Sequence, residues 1–195
     1  MKHTLVALME DKPGVLNRVV NMFSRRAFNI DSMTVGKTET ADISRMTIVV
    51  DANNNDVEQV VKQLYKIIDV LKVSDVTHDK AILRDLALIK VTVTRDTRAD
   101  IVQMATIVGG KIVDLAQDSI IVQMVDTEDA LDDFVALMRP FGIKEIVRTG
   151  RVAMVRGALG VTRALNADEL VSVHIRREPA AAKPKVAVDL TGDAG

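Results

Sequence analysis

Along residues 1–76 the apolar positions alternate between the period of a strand and the period of a helix. "TLVALM" (4–9) is a continuous apolar run ended by the charged turn "EDKPG", as a buried strand would be. From Gly14 to Arg26, Val15, Leu16, Val19, Val20 and Phe23 recur at spacings of one, three and four, which predicts one face of an amphipathic helix. "FNIDSMTVGKT" and "SRMTIVVD" read as two strands joined by a polar turn at 38–42. "NNN" at 53–55 breaks the chain, Val57, Val60, Val61, Leu64 and Ile68 make a second helix face, and "DVLKVSDV" closes as an alternating strand. The predicted order is β-α-β-β-α-β, the ferredoxin-like motif.

The polar stretch "THDKAILRD" (77–85) reads as a linker, and after it the pattern returns over 86–157. "LALIKVTV" is a strand, and Ile101, Met104, Ala105 and Val108 form a helix face stopped by Gly109 and Gly110. "KIVDLA" and "SIIVQMV" are strands. Leu131, Phe134, Val135 and Met138 form a further helix face ended by Pro140, and "GIKEIVR" is the last predicted strand. The expected fold class is therefore α+β: two ferredoxin-like domains, 1–76 and 86–157, repeating in architecture but hardly in letters. The extension at 158–195 holds the ambiguous "NADELVSVHIRRE" and a Pro/Ala/Lys tail, and is expected to be mostly disordered.

Composition narrows the chemistry. Only five residues are aromatic (Phe23, Phe28, Tyr65, Phe134, Phe141), so both cores must be aliphatic. A net charge of −1 supplies no general attraction to nucleic acid or to an anionic membrane. The absence of Cys excludes disulfides, thiolate catalysis and cysteine zinc sites. The first apolar run is short and broken by charge, and no span reaches the roughly 18 apolar residues of a membrane helix. A cytoplasmic chain with no membrane partner is expected.

No catalytic constellation emerges. His3, His78 and His174 are scattered, and no HExxH, GxSxG, Walker A or GxGxxG pattern occurs. Asp132 and Asp133 fall on the polar side of a helix. Hence neither catalytic residues nor a metal site are expected. An RNA-recognition motif shares the predicted order, but its base-stacking strand would here be "SRMTIVVD", which has no aromatic residue. Arg25 and Arg26 close a helix and suit its dipole.

One corner stands out. In "EDKPGVLNRV", Pro13 suits the first turn of a helix, and the amides of Gly14, Val15 and Leu16 would point out of the helix start without intrahelical acceptors. Such amides cradle a carboxylate, Gly14 lets a ligand approach the backbone, and Asp11 is placed to meet an ammonium group. That combination suits the backbone of a free amino acid. The same letters also fit Asp11 as a plain helix cap with Pro13 and Gly14 turning the chain. The residues alone leave both open.

"HTLVALMEDKPGVLNRVVNMFSRRAFNIDSMTVGKTE", "SRMTIVV", "KQLYKIIDVLKV", "RDLALIKV" and "FGIKEIVRTGRVAMVRG" together resemble the small, regulatory subunits of acetohydroxyacid (acetolactate) synthase. The likeness runs from His3 to about Gly157. "DKPGVLNRV" alone marks only an ACT domain; the later segments point to this family. The resemblance implies a chain without chemistry or cofactors of its own. It implies a large catalytic subunit as partner, which carries thiamine diphosphate, Mg²⁺ and FAD and condenses pyruvate with pyruvate or 2-oxobutyrate. It implies activation of that subunit and feedback inhibition by branched-chain amino acids, chiefly valine. It also implies a homodimer of ACT domains with the effector at the interface. Asp11, Pro13, Gly14, Val15 and Leu16 would come from one protomer, and Asn29 and Ile30 from the other. Position 11 alternates between Asn and Asp in the family, many relatives carry Gly where Ala27 stands, and the tail beyond Gly157 is longer than usual. The alternative is a free-standing tandem ACT sensor acting on another target, for which no helix-turn-helix pattern or basic stripe speaks.

Overall fold

The computed structural model describes residues 1–157; the extension expected at 158–195 lies outside the described residues. The first six elements are β1 (Lys2–Glu10), α1 (Val15–Arg25), β2 (Ile30–Lys37), β3 (Ile43–Asp51), α2 (Asn54–Leu64) and β4 (Val70–Asp75). They build an antiparallel sheet in the order β2-β3-β1-β4. The same succession follows in β5 (Ala81–Thr92), α3 (Arg98–Ile107), β6 (Lys111–Leu115), β7 (Ser119–Asp126), α4 (Glu128–Met138) and β8 (Ile143–Arg148), with sheet order β6-β7-β5-β8. Both repeats are ferredoxin-like, as the periodicity predicts.

Each sheet carries two helices on one face. In the first repeat Leu5, Ala7 and Met9 of β1 and Met46, Ile48 and Val50 of β3 meet Val15, Val19 and Phe23 of α1 and Val57, Val60 and Leu64 of α2. Ile89, Val91, Ile101, Leu131, Phe134 and Met138 anchor the second core. Phe23 and Phe134 are among the largest fully buried side chains, and truncating either to Ala would cost about 3–5 kcal/mol.

Several expectations are corrected. The buried stripe of α1 is Val15, Val19 and Phe23 alone; Leu16 and Val20 are 44% and 38% exposed. Residues four apart stack along one line of a helix, and a single line suffices to seat α1 on the sheet. "NNN" opens a helix as much as it breaks a strand: Asn53 accepts a hydrogen bond from the Asp56 amide at 3.0 Å and caps α2. Helix α2 ends at Leu64, where Lys66 and Ile67 donate to the carbonyls three residues back. That tightening turns Ile67 toward the core and leaves Ile68 79% exposed.

The stretch taken as a linker is a turn only up to Lys80. From Ala81 the chain is already β5, because Ala81–Arg84 pair with a strand not expected from sequence, β9 (Val152–Val155). Further along, Asp85–Thr92 pair with β7, and Ala87–Val91 also pair with β8. Ala153 of β9, Val6 and Val76 form a small buried cluster, so β9 packs on the face of the first sheet opposite its helices. This cover contributes to the burial of Val6, on the face of β1 opposite Leu5, Ala7 and Met9. Ala27 follows α1 with φ 53°, a left-handed conformation that glycine adopts without strain.

Candidate functional site

The corner at Asp11 turns on Gly14 and not on a cap by Asp11. Gly14 is the N-cap of α1 with φ 85°, and no side chain caps the helix, so Asp11 does not play that part. Pro13 precedes the cap instead of occupying the first turn. The reversal is made by the left-handed Gly14, and the fixed φ of proline suits the residue before it. The Val15 amide donates to Lys12 O at 3.3 Å, which removes it from the expected set of open donors. Among the described residues the amides of Gly14, Leu16 and Asn17 have no acceptor. Three N–H groups thus face outward at the positive end of a helix.

Asp11 is exposed, its amide donates to Asp42 O at 2.8 Å, and its carboxylate lies 3.7 Å from the Lys37 ammonium. Val15 is 2% exposed, so it contributes packing beneath the corner and not a surface.

Arg18 is a part of the corner that the motif did not announce. Helical side chains lean toward the N-terminus, so a residue four positions after Gly14 returns to the helix start. A Cβ added at Gly14 would meet Arg18 Nη1 at 3.6 Å. Nη2 donates to Asp69 Oδ2 at 2.6 Å, and Asp69 is buried at the end of the sheet, where its carbonyl accepts from the Glu10 amide. A guanidinium is therefore anchored beside the open amides. The i, i+4 spacing from Gly14 to Arg18 was the available signal.

Asn29 and Ile30 lie elsewhere. Ile30 pairs with Val50, which pairs with His3, at the far end of the sheet from Glu10. Seven residues of β1 separate the two levels, about 23 Å at the usual strand rise. Asn29 is exposed and Ile30 half-buried. Of the seven residues proposed from sequence, the chain brings five together at one end and two at the other.

His3 is buried with Nδ1 3.3 Å from Asp75 Oδ2, and its ring meets that of His78 edge-on at 6.4 Å. Asp132 pairs with Arg148 at 2.8 Å on an exposed helix side. His174 lies outside the described residues. Among the described residues, no group of three or more His, Cys, Asp or Glu is placed to hold a metal ion, and no helix is long and apolar enough to cross a membrane.

The two successive βαββαβ units and the glycine-led helix start define a class, the ACT-type proteins. The pattern described as "AHAS small subunit-like ACT domain" matches residues 5–72, and that described as "Small subunit of acetolactate synthase" matches 84–157. The chain is 51% identical to a probable acetolactate synthase small subunit of Archaeoglobus fulgidus over 157 residues, 80% of this chain and 98% of the relative. It is 45% identical to the acetolactate synthase small subunit of Bacillus subtilis over 158 residues, 80% of this chain and 92% of the relative. The crystal structure of the small subunit from Thermotoga maritima superposes with a TM-score of 0.75 at 36% identity, covering 82% of this chain and 99% of that one. The chain belongs to the family of acetolactate synthase small subunits.

Proposed function

We propose that this chain is the non-catalytic regulatory subunit of acetolactate synthase. It raises the activity of the thiamine-dependent catalytic subunit and confers feedback inhibition by branched-chain amino acids, valine first among them. Thiamine diphosphate, Mg²⁺ and FAD belong to the catalytic partner. The first repeat, closed by β4, does the sensing, and the second, which begins at β5, extends the regulatory body.

The observation that carries the proposal is the separation of the two half-sites. Asp11–Leu16 and Asn29–Ile30 sit at opposite ends of one sheet, so one chain cannot close a site around a single amino acid. A second copy can. Strand β2 is an edge strand whose last three residues, Val35 to Lys37, are exposed, and Leu16 and Val20 offer an apolar strip on α1. Two β2 edges joined antiparallel about a two-fold axis would place the start of each beside the end of the other. The end of β2, Lys37, is level with Ser44 and Met9, next to the Asp11 corner. Each homodimer would then hold two equivalent sites.

In such a site the effector carboxylate accepts from the Gly14, Leu16 and Asn17 amides and from Arg18. Its ammonium faces Asp11, and Asn29 of the second copy supplies a polar contact. The aliphatic side chain rests on Leu16 and on Ile30 of the second copy. A regulator binding near 0.1 mM needs only about −5.5 kcal/mol in total, which a few charge-assisted hydrogen bonds at roughly 1.5–3 kcal/mol each can supply. The test is calorimetric binding of valine to the purified chain together with its mass by light scattering. Binding at one site per protomer in a dimer supports the proposal; a monomer that binds valine defeats the shared site.

A further inference from the structure

The first sheet and the second repeat meet at the turn between β8 and β9. Thr34 donates to Thr149 O at 3.1 Å, Arg45 donates to Ala153 O, and the Arg151 amide lies 3.5 Å from Ser32 Oγ. Gly150, at φ 83°, is pressed so closely on β2 that an added Cβ would lie 2.9 Å from Ser32 Cβ. Around this turn runs a set of charges. Glu128, the first residue of α4, accepts from Arg151 Nη2 at 2.6 Å and from the Lys2 ammonium. Arg151 Nη1 donates to Thr4 at 2.8 Å, and Lys2 also lies 3.0 Å from Asp31.

Lys2 is thus shared between two carboxylates on different repeats. Asp31 belongs to β2 and sits where the β2–β3 register slips, one residue after Ile30. Glu128 opens a helix of the second repeat. A cleft of about 390 Å³ lined by Asp31, Ser32, Arg84, Glu128 and Arg151 leaves these side chains room to exchange partners. Coupling needs an element with two arrangements that both sites bias. Lys2 touches both acids at once, so a change in its hold on one carboxylate bears directly on the other.

We propose that the Lys2–Asp31–Glu128–Arg151 cluster is the coupling element that passes a change at the start of β2 to the second repeat. This rests on the amino-acid site proposed above. Ordering of Asn29 and Ile30 by an effector moves Asp31 and alters its hold on Lys2. The shift reaches α4 through Glu128 and the β8–β9 turn through Arg151.

The test uses the complex of catalytic subunit and full chain, comparing wild type with Glu128→Gln, Lys2→Gln, Arg151→Gln and the charge-keeping Arg151→Lys. Calorimetry gives valine affinity, and synthase assays give activation and the extent of inhibition by valine. Expected is affinity within about twofold of wild type, with activation retained and the extent of inhibition at saturating valine reduced about fivefold or more in the three Gln variants. Arg151→Lys should stay close to wild type. Hydrogen exchange should show β2 from Asp31 to Thr34 and the first turn of α4 loosening together in Glu128→Gln. Lys2→Gln changes an exposed side chain, so it reports on coupling even if a buried variant folds poorly. Unchanged inhibition in all variants, or loss of binding in step with inhibition, overturns the proposal. A wild-type chain that binds no branched-chain amino acid defeats the effector site instead; the exchange result then decides the link alone, and independent loosening overturns it.

Discussion

Arg18 donates to the buried carboxylate of Asp69 at 2.6 Å, and this pair holds a guanidinium beside Gly14 at the open start of α1. The relation sets the consequence of Gly14→Asp. A carboxylate there would stand within reach of Arg18 and of the open amides, taking the place proposed for the effector's own carboxylate. Loss of one charge-assisted hydrogen bond costs roughly 1.5–3 kcal/mol, about ten- to 150-fold in affinity. Valine inhibition should vanish while activation persists. The φ of 85° adds a backbone cost of about 1–2 kcal/mol for a residue with a Cβ, so the melting temperature should fall by several degrees. Inhibition titrations and thermal melts check both parts.

Arg18→Gln isolates the guanidinium. It keeps the helix and Gly14 but removes the cation, so valine affinity should fall about tenfold or more by calorimetry. Asp69→Asn, which frees Arg18 from its anchor, should weaken binding less. Equal affinity in Arg18→Gln and wild type would remove Arg18 from the site.

Much of the fold is legible in the sequence because it rests on period. Val15, Val19 and Phe23, or Leu131, Phe134 and Met138, announce helices, and the alternation of β4 announces a strand. What period cannot say is which apolar neighbours the tertiary contact spares. Leu16 and Val20 read as core and are surface, since only packing on the sheet selects one line of α1. Strand β9 escaped because four residues, "VAMV", carry no decisive alternation. The first residues of β5 escaped because "AILRD" mixes charge with apolar letters. Its Asp85 is buried beside Thr149, 2.9 Å away, and Arg148, partners more than sixty positions later. At the site, the glycine-led helix start is local and was visible. The left-handed Gly14, the occupied Val15 amide and the return of Arg18 are geometric, and needed coordinates.

Acid should weaken the contact between the repeats. Hydrogen bonding from Lys2 is the main cause that holds the Glu128 carboxyl below its ordinary value, with help from Arg151 and against partial burial. The groups facing it are Lys2, Arg151 and, across Lys2, Asp31. A depressed carboxyl stabilises the fold above its unfolded pKa of about 4.3, and that contribution is lost as pH falls through the lower folded value. Thermal stability measured between pH 6 and 3 should therefore fall less in Glu128→Gln than in wild type.

Ala27→Gly should stabilise the chain. Ala27 sits at φ 53°, where the left-handed conformation costs about 1–2 kcal/mol with a Cβ present. The greater freedom of glycine in the unfolded chain offsets about 0.4–1 kcal/mol of that. A rise in melting temperature of a few degrees is expected, and a fall would mean that the Ala27 methyl makes a contact of greater value.

The central claim is regulation of a partner, and one titration tests it most directly. Synthase turnover by the catalytic subunit is measured with and without this chain while valine is raised from zero to about a hundred times a midpoint near 0.1 mM. The account predicts no turnover by the chain alone, higher turnover in its presence, and progressive loss of that gain as valine rises. Turnover that the chain leaves unchanged at every valine concentration would contradict it.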